Sequence, residues 1–207
     1  MQPLFLINNK TFNSAAPSAN SGSLPPAPLG LATKLPPGNR FFALKTRANQ
    51  QIEAIFPSLL EQNAHYHFIS NGAFSLHNLV GHIINTTGPV HMAFSTWAIS
   101  ESSARALVGL KTNGSILSIQ ALLDTRAKSR HDSAYHLISG HCQHITMAHC
   151  HAKVSLFWND QWQVSLIGSA NYTENPRIEV GTIYTIPQVL QFHKNWLLTA
   201  IENASHT

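Results

Sequence analysis

Charge is scarce in this sequence: Asp, Glu, Lys and Arg make up 11% of its 207 residues, and the acids number nine. Its surface must therefore draw its polarity from Ser, Thr, Asn, Gln and the 13 histidines. A formal net charge of +4 permits a polyanionic partner such as nucleic acid but is too small to identify one. Cysteine is nearly missing, and Cys142 and Cys150 cannot build a disulfide framework. Long apolar runs are missing too. None reaches the roughly 18 residues that would span a bilayer, and the short apolar stretch at the start carries no basic leader. These absences predict a soluble, cytoplasmic chain with two reduced thiols.

What is present divides into an arm and a domain. Residues 13–37 are rich in Ser, Ala, Pro and Gly, with too little apolar surface to offset the entropy of ordering them. Residues 1–40 are thus expected to form a flexible arm, and residues 41–207 a single domain. Within the domain, residues 42–62 place Leu44, Ala48, Ile52, Ile55 and Leu59 at near-helical spacing, interrupted by Pro57. His65–Ile69 reads as a strand, His77–Asn85 as a helix and Val90–Ser95 as a buried strand. Ser100 is placed to cap a helix ending near Asn113-Gly114, and Ser115–Leu122 reads as a further buried strand. Thr146–Phe157, Gln161–Ile167 and Glu179–Thr185 read as three more strands. Val189, His193, Trp196, Leu197 and Ile201 mark a closing helix. The alternation predicts an α/β fold with a layered sheet and no internal repeat.

The polar residues of His149–Phe157 carry the chemistry. Read as a strand, this segment puts His149, His151, Lys153 and Ser155 on one face. On spacing alone that row would be a solvated strand face. A hairpin returns Gly168-Ser169-Ala170-Asn171 beside it, so that a hydroxyl, an amide and a glycine with room for close backbone approach converge on the imidazole and the ammonium. His151-Ala152-Lys153 followed by Gly168-Ser169-Ala170-Asn171 resembles the two halves of the signature of the phospholipase D superfamily, whose members include lipases, phospholipid synthases, nucleases and DNA-repair phosphodiesterases. The resemblance runs from about residue 65 to the C-terminus. It implies an α/β/α domain with a mixed central sheet.

It also implies a metal-independent and cofactor-free reaction. His151 attacks phosphorus to give a phosphohistidine, and a second imidazole protonates the leaving oxygen. Lys153 and Asn171 stabilise the non-bridging oxygens, and Ser169 supports the phosphate or the imidazole. Glu179 resembles the downstream glutamate that orients the nucleophilic histidine in single-motif members of the family; Glu174 is the alternative. Two features depart from the family pattern. Trp158 stands where an aspartate is usual, five positions after the lysine, and the gap between the two half-motifs is longer than usual.

One motif supplies one histidine. The expectation is therefore a homodimer in which two copies of His151 share a composite site across a two-fold axis, acting as a nuclease with nucleic acid, DNA first, as substrate. The alternatives are a catalytically weak DNA-binding module, which the missing aspartate favours, and a phospholipid-cleaving phosphodiesterase. Zinc held by His141, Cys142, His144, His149, Cys150 and His151 ranks behind, because the spacing suits no standard zinc module. Asp124–Arg130 reads as a loop whose three bases line a phosphate path or simply meet solvent, and Trp97 as a residue bordering the site or part of the core.

Overall fold

The computed structural model describes residues 40–45, 52, 56, 59–72, 74–174 and 177–203. The expected arm therefore lies outside the described residues, apart from Arg40, which opens the first strand. The elements follow one another as β1 (Arg40–Lys45), β2 (Ala64–Asn71), α1 (Leu76–Thr87), β3 (Val90–Thr96), α2 (Glu101–Thr112) and β4 (Ile116–Asp124). They continue with α3 (Arg126–Arg130), α4 (Asp132–Ser139), β5 (His144–Ala148), β6 (Val154–Trp158), β7 (Gln163–Gly168), β8 (Ile178–Tyr184) and α5 (Pro187–Asn203).

The strands form one eight-stranded mixed sheet in the order β1-β2-β8-β7-β6-β3-β4-β5. β6 and β8 run against all the others. Strand alternation distributes the core over the two faces. Met92, Phe94, Ile119, Ala121, Leu123, Phe157, Val164 and Leu166 pack with Leu79, Val80 and Ile83 of α1 and with Ala104 and Leu107 of α2. Ala93, Leu122, Val154 and Leu156 pack instead with Leu190, Leu197 and Ile201 of α5. The result is the layered α/β sheet that the alternation of elements predicts, in the α/β/α form that the resemblance implies.

The local signals hold where they are strong. The Ser100 hydroxyl accepts from Ser103 N at 3.3 Å and caps α2, which stops at Asn113 before Gly114 turns the chain at φ 82°. Three expectations are corrected. Residues 40–45 form a strand pairing in parallel with β2, where helical spacing had been read from Phe42 onward. Asp124–Arg130 contains a short helix, α3, and a second helix, α4, follows it.

The third correction matters most for the site. Thr146–Phe157 is not one strand. β5 ends at Ala148 on the edge of the sheet, and the chain then crosses the ends of β4 and β3 to begin β6 at Val154. His149, His151 and Lys153 belong to that crossing. Ser155 does not share their surroundings: it is buried, and its hydroxyl lies 2.7 Å from that of Tyr172.

Candidate active site

Strand direction creates the site. β2, β3, β4, β5 and β7 end, and β6 and β8 begin, along one edge of the sheet. The connections there hold Trp97, Arg126, His151, Lys153, Ser169, Asn171 and Arg177, with Glu179 one residue inside β8.

His151 and Lys153 meet directly. Lys153 Nζ lies 3.2 Å from His151 Nδ1 and donates to the His151 carbonyl at 2.8 Å. The same ammonium lies 3.4 Å from His151 Nε2, so it faces both ring nitrogens rather than one. Burial lowers the Lys153 pKa, while the carboxylate of Glu179 works against that shift. The second half-motif is fastened to the first through the backbone, Gly168 N donating to Lys153 O at 3.2 Å. Glycine is required there, because a Cβ on Gly168 would come within 2.5 Å of Val180 O and 3.1 Å of Gly181 Cα.

Past that close approach, Ser169 bonds β8 on both sides. Its amide donates to Val180 O at 2.9 Å, and its hydroxyl accepts from Val180 N at 3.0 Å and donates to the carboxylate of Glu179. Asn171 is held from the other direction, its Oδ1 accepting from Thr96 Oγ1 and Trp97 N, each at 3.3 Å. That fixes the amide orientation and leaves its NH2 as the donor end. Ser70, Ser75, Asn171, Thr173 and Glu179 line a small cleft beside this group. All five residues singled out in the sequence thus lie at one edge of the sheet, and the geometry places Glu179 against Ser169.

Three further residues complete the surroundings of His151. The Trp97 ring centroid lies 6.0 Å from that of His151. The buried carboxylate of Asp124, at the end of β4, accepts from Arg126 Nε at 2.7 Å, Arg126 N at 3.1 Å and Cys150 N at 3.3 Å. It therefore ties α3 to the residue preceding His151. The Arg126 guanidinium holds the Asp124 carboxyl well below the usual range, at about 2. Sequence reasoning missed this acid; the only signal was its place at the end of a buried strand.

The departure at Trp158 lies elsewhere. It ends β6 at the far side of the sheet, about 13 Å of strand from Val154. There its ring stacks on His91 at 5.9 Å and carries Lys194 Nζ at 4.0 Å. The zinc reading loses its geometry, since His141, Cys142 and His144 gather at the start of β5 and His149–His151 follow its end. Among the described residues no three His, Cys, Asp or Glu side chains converge on a metal position. Both cysteines are free thiols.

No family model and no curated protein matches the sequence. Among solved structures the chain is similar to Nuc from Salmonella typhimurium, described as a phospholipase D family member, with 18% identity and a TM-score of 0.51, over 68% of this chain and 94% of that one. It is likewise similar to NucT from Helicobacter pylori, with 13% identity and a TM-score of 0.51, over 68% of this chain and 97% of that one.

Proposed function

We propose that this chain, an α/β domain with the phospholipase D fold, is a metal-independent phosphodiesterase that cleaves nucleic acid through His151. The observation that carries the reading is the fastening of His151-Lys153 to Gly168-Ser169-Asn171 at the edge where the strands converge. A neutral imidazole, an ammonium and an amide donor at one place suit displacement at a phosphodiester. A His151 ring nitrogen forms a bond to phosphorus as the bond to the leaving oxygen breaks. A second imidazole, protonated at the outset, gives its proton to that oxygen; it then takes a proton from the water that attacks the phosphohistidine, which releases the product and restores both rings.

Lys153 and Asn171 bear the charge on the non-bridging oxygens. Glu179 acts through Ser169, to which it is hydrogen bonded, and fixes the hydroxyl and the β7–β8 junction. The second imidazole is His151 of another copy, across a two-fold axis. Ile178 and Val180 support this arrangement, being 70% and 52% exposed on β8 on either side of Glu179, with Ile69 exposed opposite Val180. Apolar surface at that position suits an isologous contact.

Labelled DNA, RNA and phosphatidylcholine incubated with the protein in excess chelator test the reading. The wild type is expected to cleave nucleic acid. His151→Ala should bind it with salt-dependent affinity and leave it intact. Unchanged turnover by a folded His151→Ala variant, or activity only on the lipid, would overturn it.

A further inference from the structure

Two arginines on the Trp97 ring have no part in the displacement just described. Arg126 and Arg130 stand four positions apart on α3 and so on one face of it. Their guanidinium carbons lie 5.2 Å and 4.9 Å from the centroid of the Trp97 ring. Trp97 is in turn the ring beside His151, and its backbone N–H is bonded to Asn171.

Such a pair is costly to assemble. Two like charges share one aromatic platform, and among the described residues the only acid paired with either, Asp124, is spent on Arg126 and on Cys150 N. Among the described residues Arg130 has no ion pair and is exposed. Its five donors stay available in a planar fork that matches two oxygens of a phosphate. Arg126 is braced by Asp124 with its side chain still 54% exposed, which keeps its remaining edge open to solvent.

We infer that Arg126 and Arg130, mounted on Trp97, form a subsite for a second phosphate of the substrate strand, next to the phosphodiester held at His151. The inference rests on the proposed phosphodiesterase reading and narrows it. A substrate with a single phosphodiester has nothing to place in this subsite, whereas a polynucleotide offers the neighbouring phosphate in the same chain. The subsite would therefore make the enzyme selective for polymers, and for strands over phospholipid headgroups.

Arg130 is the residue to change, because Arg126 also braces Asp124. Turnover is measured on a short single-stranded oligodeoxynucleotide and on bis(para-nitrophenyl) phosphate, which carries one phosphodiester. Oligonucleotide binding is measured separately as a function of salt. Arg130→Ala should lower kcat/KM on the oligonucleotide about tenfold more than on the small substrate, the scale of one lost charge-assisted contact. It should also flatten the dependence of log affinity on log salt by about 0.7, one phosphate contact on a single strand. Arg130→Lys should restore that slope while recovering only part of the selectivity, since it keeps the charge and loses the fork.

Equal losses on the two substrates, or an unchanged salt slope, would overturn the subsite. If the wild type cleaves neither substrate, the catalytic reading fails, and the salt slope of Arg130→Ala still decides the subsite by itself.

Discussion

Asp124 shows how one residue can serve a site without touching substrate. It is buried, in a chain with only nine acids, and its hydrogen bonds join the end of β4, the start of α3 and the residue before His151. Its folded-state pKa lies below the ordinary value, brought down chiefly by the hydrogen bond from Arg126. A depressed carboxyl stabilises the fold above its unfolded pKa, and that contribution is lost as pH falls from 3.8 toward about 2. Asp124→Asn is therefore expected to cost about 1–2 kcal/mol near neutral pH, a range kept low because the partner guanidinium is half exposed. Urea unfolding of wild type and variant, near neutrality and again in acid, checks this. The gap should close in acid, and a gap of constant size would mean that the charge contributes nothing.

At the scale of elements, legibility followed locality. α1, α2 and α5 could be read because their apolar residues repeat at helical spacing, and α2 also carries its own cap at Ser100. β3 could be read as a buried run, and β4 as a strand whose second half is buried. β1 could not: its pairing is with β2 some two dozen residues away, and the aromatic pair Phe41-Phe42 fits a strand as readily as the start of a helix. The break between β5 and β6 was equally hidden, because it follows from sheet order. The chain must leave an edge strand and re-enter beyond β3, and nothing in residues 149–153 announces that crossing. The candidate site divides the same way. His151, Lys153, Ser169 and Asn171 stood out as two short motifs, and Gly168 as the point of close backbone approach. The grouping of Arg126, Arg130 and His151 around Trp97 is made by strand ends that only topology brings together.

At the scale of the whole molecule, the proposal requires two imidazoles where one motif supplies one. If two copies share a site, mixing wild type with His151→Ala and allowing subunit exchange should lower activity faster than the wild-type fraction, because each mixed dimer holds one intact imidazole. A proportional fall would instead place the acid within the same chain. His77 would then lead: it is bonded to Ser103 at 3.0 Å, and its neighbour Ser75 lines the cleft that also holds Asn171 and Glu179. No helix among the described residues is long and apolar enough to cross a membrane, and the candidate site is the strand edge that carries His151 and Lys153. The most direct test of that site is to stop the reaction with alkali or denaturant during turnover of a labelled oligonucleotide and map the label by mass spectrometry. The account predicts an acid-labile phosphoryl-nucleotide adduct on the peptide carrying His151, absent in His151→Ala. Continued cleavage with no adduct, or with the adduct on another residue, would contradict it.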